Sequence, residues 1–436
     1  GGKSIGRVPM AGIPHHAVEK YCSLLIQKGF SISLCDQLES SQNKEGKLLK
    51  RGITRVLTPG TVIESGMLDA KKNNWLTAIS IEEDLKNDLF KWGMANADIS
   101  TGEFITKEGS NLITLKQELS KIETSEIVFG KSEEHSVGKW LTKNNHISYI
   151  DMTAFTLLEA KTAIKSYFKL QTINGLGINN NLMALKAAGG LIAYIKETQP
   201  IHTKEYSEIP LDLPNICITS DTLILDSQTK RNLEITSTQR DAQFQGSLLW
   251  SIDRTLTAMG GRCLRRWTEN PLINELEILS RQSVVSHLVA ERQLRQRIRK
   301  LLRTMGDLER LSGRAGAGHA GGRDLIAIAD GIEKLPLVSK NLSTFPNISP
   351  SWLKALNNVD QGLVDLAQSI RSVLITNQPL SLNEGGLIHD GVDPLLDGLR
   401  NKLDEQYEWL KTQENLERSL SKNSNLKIQY HRTFGY

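Results

Sequence analysis

A chain of several modules, mixed α/β in its first half and almost wholly α-helical beyond it, is the fold class the sequence predicts. Three observations lead there. With 436 residues, the chain has room for two to four units of about 100–200 residues each. Strand-period and helix-period stretches alternate as far as about residue 216 and then give way to helix-period blocks alone. Hydrophobic content of 39%, charged content of 23% and a mean hydropathy of −0.29 describe a globular chain, neither disordered nor membrane-spanning. No apolar run approaches the ~18–20 residues that a bilayer span needs.

The elements follow in order. Pro9 and Pro14 interrupt the opening; Ala17, Tyr21, Leu24 and Leu25 then recur at helical spacing until Gly29 ends the helix. Phe30 to Leu34 alternate as a strand, and ITRVLTPGT forms a second one closed by a turn at Pro59 and Gly60. From Trp75 the texture is hairpin: NNWLTAIS, LFKWGMANADIS and TGEFITKE, with Gly102 at a turn. A helix over Leu112 to Ile122, a strand at EIVFG and helices near Thr156 to Phe168 and Asn181 to Thr198 complete a second α/β unit. After TLILDSQTKRNLEI the helical blocks are Ser247 to Leu256, Met259 to Trp267, Glu275 to Val289, Glu291 to Arg303, Asp307 to Arg314 and Arg323 to Lys334. Beyond Pro394, Leu396, Leu399, Leu403, Tyr407 and Leu410 mark one long amphipathic helix of about 40 Å at 1.5 Å per residue.

Charge does not name a partner. Lys+Arg 53 against Asp+Glu 49 leaves only +4, so any grip on nucleic acid must be local. Arg292, Arg295, Arg297, Arg299, Lys300 and Arg303 are one such cluster, read as a solvated face spread around Leu294, Ile298, Leu301 and Leu302. Arg262, Arg265 and Arg266 are another, able to salt-bridge a neighbouring helix. Cys22, Cys35, Cys217 and Cys263 form no C-x-x-C pair and read as small buried hydrophobes in a reducing compartment.

Motifs of catalysis fail on context. Gly1-Gly2-Lys3-Ser4 has the ending of a phosphate-cradling loop, but prolines follow where its helix should begin. Gly316-x-Gly318-x-x-Gly321 has dinucleotide-fingerprint spacing, yet a charged helical stretch rather than a strand precedes it, so a flexible interhelical connection is the simpler reading. His15 and His16 would point about 100° apart on a helix. HDGVD at His389 to Asp393 fits a turn better than a metal site. The sequence therefore offers no catalytic residue, no metal ligand set and no nucleotide-binding motif. Its first residue is Gly1 and its last are Phe434, Gly435 and Tyr436, in what reads as mid-strand; the expectation is a piece of a longer protein.

Five strings in one order carry a resemblance: PMAGIPHHAVEKY, TRVLTPGT, LDSQTKRNLEIT, TAMGGRCLRRWTENPL and MGDLERLSGR. Together they resemble the MutS family of bacterial DNA mismatch-recognition proteins, over essentially the whole chain. The resemblance implies residues 1–62 as the C-terminal part of a mismatch-binding domain, 63–215 as a connector with an RNase-H-like α/β fold and no nuclease activity, 216–425 as a helical lever and 426–436 as the start of a DNA clamp.

For the parent protein it implies a homodimeric ATPase, using ATP and Mg, that encircles double-stranded DNA, bends mismatches or small loops and recruits MutL in the bacterial cytoplasm, away from any membrane. By the same resemblance Pro9 and Met10 lie beside the minor groove at the mispair, and Arg7 and Arg55 near the backbone, where phosphate contacts hold register without reading sequence. The opposing reading packs Met10 and Pro14 in a core and pairs Arg55 with an acid. The family's Phe-x-Glu wedge does not occur in the first 60 residues, and GAGHAGG is richer in glycine than the family's usual segment. Two other readings are a MutS-like relative that holds recombination junctions, which PMAGIPHHA and TRVLTPGT argue against, and a scaffold with no DNA role.

Overall fold

A computed structural model describes residues 12–14, 17–37, 51–84, 89–131, 146–178, 180–199, 209–216, 222–343, 356, 359–379 and 382–429. The first unit is small. Helix α1 (Val18–Gln27) packs on an antiparallel pair, β1 (Ile32–Gln37) and β2 (Arg51–Leu57). Its core is Cys22, Ile26, Leu57 and Val62, and Met67 and Leu68 close over it. Strand β1 starts later than the alternation from Phe30 suggests. Gly29, at φ +87°, donates to the Ile26 carbonyl, and Phe30 donates to that of Leu25, so Phe30 belongs to the helix's C-terminal cap. Cys22 is buried as expected, whereas Cys35 is exposed, because β1 is one of only two strands and has an open face.

The second unit is a six-stranded sheet. Strands β3 (Trp75–Asp84), β4 (Leu89–Asp98) and β5 (Glu103–Ser110) form an antiparallel meander. Helix α2 (Leu112–Lys121) then leads to β6 (Thr124–Gly130), which lies parallel to β3 and is followed by β7 (Ile147–Ile150), parallel to β6. Helices α3 (Leu157–Tyr167) and α4 (Leu182–Thr198) precede β8 (Asn215–Ile216), which extends the β5 edge in parallel. The strand order is β7-β6-β3-β4-β5-β8, a three-strand meander with parallel strands added beside its first, as the resemblance implies. Alternation divides β4 between two cores: Ala95 and Ala97 face α3 and α4 with Leu185, Ala188, Leu191 and Ile192, while Trp92 and Met94 face α2 with Leu115.

The third unit is helical: α5 (Ser227–Asn232), α6 (Leu248–Ile252), α7 (Ala258–Glu269), α8 (Glu275–Ala290), α9 (Arg292–Arg303), α10 (Leu308–Gly316), α11 (Gly322–Leu342), α12 (Gln361–Val373) and α13 (Pro394–Ser421). Side chains of Asp226, Ser247, Thr257, Asn274, Asp307, Asp360 and Asp393 cap the starts of seven of them. Two of its cores are small: Leu294 and Ile298 of α9 with Val338 and Leu342 of α11, and Ala329 and Ile332 of α11 with Ala367 of α12. Helix α11 outruns the expected end at Lys334 and passes through Pro336, because burial of Val338 and Leu342 offsets the hydrogen bond that proline removes. Helix α13 spans 28 residues, about 42 Å. No helix among the described residues is long and apolar enough to cross a membrane.

Candidate functional site at the junction of the three units

The segment Asp69 to Lys72 joins the first unit to the sheet, and side chains from the helical unit grip it. Arg262 of α7, 1% exposed, donates to the Ala70 carbonyl at 2.8 Å. The same guanidinium makes a two-point contact with Asp307 and reaches Glu309 at 2.6 Å. Burial alone would weaken its hold on the proton, but hydrogen bonds and charge from Asp307 and Glu309 reverse that and raise its pKa. Arg310 of α10 donates to the carbonyls of Asp69 at 2.9 Å and Lys72 at 2.6 Å, and to Ser100 Oγ at 3.2 Å. Lys71 Nζ meets Asp253 at 2.7 Å. Every residue of the segment is thus tied to α7, α10 or the turn after α6. The Asp98 carboxylate completes the grip from the sheet side, accepting from Ser100, from Asn73 and from the Asn74 backbone.

A second fixed point lies at the end of β2. Glu126, 1% exposed on β6, accepts from Thr58 Oγ1, the Gly60 amide, Ser148 Oγ and the Tyr194 hydroxyl. Four donors satisfy a buried carboxylate without a cation. Burial and the Glu126 charge push the Tyr194 phenol well above its ordinary value. The predicted Pro59–Gly60 turn is therefore bolted to the sheet through one side chain.

Of the four residues that the resemblance sets near DNA, Arg7, Pro9 and Met10 lie outside the described residues, as do His15 and His16. Arg55 is described. It is 7% exposed and forms a two-point ion pair with Glu64. Burial would raise the Glu64 carboxyl, but the charge and hydrogen bonds of Arg55, with backbone amides, bring it below the usual carboxylate range.

The basic clusters separate. Arg262, Arg265 and Arg266 are consumed internally, Arg265 by Glu269 and Glu123 and Arg266 by Glu103. With Lys107 and Lys121, which share Glu118, they border a cavity of about 280 Å³ between sheet and helices, into which Arg281 also reaches, stacked on Trp267. On α9, Arg292, Arg297, Arg299, Lys300 and Arg303 are exposed around buried Leu294 and Ile298, as a solvated face requires. Asp390 pairs with Arg400 and Asp393 caps α13, so HDGVD is a turn. No group of His, Cys, Asp and Glu that could hold a metal occurs among the described residues. Periodicity alone does not single out Arg310, Arg314 or Glu126; the available signal is a charge set among apolar positions of a helix or strand.

Family profiles agree in order with the three units. MutS domain I matches residues 1–66, MutS domain II residues 74–207 and MutS domain III residues 228–430. The chain is 59% identical over 440 residues to the DNA mismatch repair protein MutS of Prochlorococcus marinus, covering 100% of this chain and 48% of that protein. To the DNA mismatch repair protein MutS of a Synechococcus species it is 56% identical over 439 residues, again covering 100% of this chain and 48% of the relative. It thus spans about half the length of the curated relatives it matches. With all three profiles in sequence and this identity along its whole length, the chain belongs to the MutS family, of which it carries domains I, II and III.

Proposed function

We propose that this chain is the part of a mismatch sensor that carries the signal of a bent, mispaired duplex away from the DNA, within post-replicative mismatch repair. The observation that carries the reading is the 59% identity along the whole chain to a protein named for DNA mismatch repair. The grip of Arg262 and Arg310 on the Asp69 to Lys72 segment supports it, since a rotation of the first unit must then displace α7 and α10. The module limits that go with this reading are 1–62, 63–215 and 216–425, with 426–436 opening the clamp. In the whole protein the DNA would be double-stranded with a mismatch or small loop, the assembly a homodimer in the cytoplasm, the partner MutL, and the cofactors ATP and Mg bound by residues other than those of this chain.

Arg7, Pro9, Met10 and Arg55 form the DNA-proximal set. Because Arg55 is committed to Glu64, its part is to brace β2, and it reaches a phosphate only by exchanging one anion for another. Discrimination then comes from how cheaply a mispair bends. The test is a gel shift of matched against G·T duplexes, with an ATPase assay, on this chain and on the full-length protein containing it. The expected result is weak binding with little mispair preference and no ATP turnover for the chain, and both activities for the full-length protein. A full-length protein with no mispair preference, or one that prefers branched junctions, would overturn the reading.

A further inference from the structure

The glycine-rich turn between α10 and α11 is a tight joint rather than a loose connection. Gly318 takes φ +76° and lets the chain reverse. On either side the backbone is pressed against neighbours: a Cβ at Gly313 would lie 2.5 Å from the Ser100 carbonyl oxygen, one at Gly316 2.5 Å from Pro210 Cγ, and one at Gly322 2.3 Å from Gln378 Oε1. The turn is therefore seated on the sheet unit through Ser100 and Pro210, and on the helical unit through Gln378.

Its side chains reach the first unit. Arg314 donates from Nη1 to Ser65 Oγ at 3.2 Å and pairs with Asp324, whose other oxygen accepts from the Gly321 amide at 3.0 Å. Ser65 opens a short 3-10 turn ending at Met67, which packs on the core of the first unit. His319 stands in the field of both Arg55 and Glu64. One turn of the helical unit thus touches the first unit directly at Ser65.

We infer that Arg314 is a positioning residue for mismatch binding: it fixes the Ser65 turn of the first unit directly onto the helical unit, giving the signal a route that bypasses the connector sheet. The inference rests on the function proposed above. A displacement of the Ser65 turn strains the Arg314–Ser65 bond at once, whereas the route through the Asp69 to Lys72 segment requires that segment to move first. The glycines are what make the route short, because side chains at Gly313 and Gly316 would hold the turn off the sheet.

The experiment uses the full-length protein and measures affinity for a matched duplex and for the same duplex with one G·T mispair, by fluorescence anisotropy. Wild type is compared with Arg314→Ala, Ser65→Ala and the double variant. Arg314→Ala and Ser65→Ala should each lower the mispair-to-matched preference by about fivefold or more, and the double variant should lose no more than Arg314→Ala alone, since Ser65→Ala removes only a contact that Arg314→Ala already removes. If wild type shows a preference that Ser65→Ala and Arg314→Ala leave intact, or if their losses simply add, the direct route is wrong and the proposed function stands. If wild type itself shows no preference, the proposed function fails first.

Discussion

Arg262 and Asp307 form a two-point contact, Nη1 to Oδ2 at 2.8 Å and Nη2 to Oδ1 at 2.6 Å, on a guanidinium that is 1% exposed. Removing one member of such a buried pair leaves the other charged and unmatched, which costs about 3–5 kcal/mol. Arg262→Ala should therefore lower the unfolding free energy of the helical unit by that order in urea titration. It should also free the Ala70 carbonyl, so that proteolysis within Asp69 to Lys72 becomes faster. A loss under about 1 kcal/mol would mean that the surroundings relax around the vacated site and that the grip is weak.

Gly313→Val is expected to destabilise by about 1–3 kcal/mol, because its Cβ alone would sit 2.5 Å from the Ser100 oxygen, a backbone atom that cannot swing aside. Gly398 supplies the contrast, since a Cβ added there on α13 would meet nothing within 4 Å. Gly398→Ala should stabilise α13 slightly through helix propensity, by about 1 kcal/mol at most. Thermal melts of the two variants should move in opposite directions.

Tyr194 gives a signal at alkaline pH. Burial and Glu126 raise its pKa well above the ordinary value of 10.0, so the folded protein keeps the proton while the unfolded chain releases it. Stability from this residue is complete below about pH 10 and falls as pH rises further. Tyrosinate absorbance of wild type minus that of Tyr194→Phe should show one phenol that titrates only on unfolding. A phenol titrating in step with exposed tyrosines would contradict the Glu126 hub.

Acid acts at two places and in two windows. Glu64 and Glu118 have folded-state pKa values below 4.5, since ion pairs with Arg55 and with Lys107 and Lys121 outweigh burial. Their stabilisation is present above pH 4.5 and is lost as pH falls through the lowered values. Partial desolvation, then Arg55, lowers the proton affinity of His319, with Glu64 opposing, and because the residue is exposed, solvent screens most of the effect. Its share is complete above 6.5 and declines as pH falls below that value. Denaturation midpoints followed against pH should show a shallow loss beginning near 6.5 that disappears in His319→Ala, and a steeper one below 4.5 that remains.

The contrast between what periodicity reveals and what it conceals has physical causes. Helix α9 is legible because it buries one face, with Leu294 and Ile298, and so repeats its apolar residues at a fixed step. Helix α12 carries an equally plain signal, Asp360 as a cap before Leu363, Leu366, Ala367 and Ile370, yet it is missing from the helical blocks expected of the sequence. Strand β7 has four residues, too short for alternation to register. Helix α6 stops at Ile252, short of Leu256, because the Asp253 side chain turns back to the Thr255 amide and hydroxyl. The junction is least legible of all. Arg262, Arg310 and Arg314 read as surface charge on amphipathic helices, and only the approach of segments some 190 to 250 residues away, at Ala70, Asp69 and Ser65, makes them interior groups.

Helix α13 buries none of its 28 residues, so its backbone hydrogen bonds rather than tertiary packing keep it straight. A rod about 42 Å long converts angle into travel: tilting its base by about 10° carries its tip about 7 Å, more than the pitch of one helical turn. The same geometry works in reverse as a reduction gear. An excursion of about 7 Å at the Ser421 end arrives at Asp393 as a turn of only about 10°.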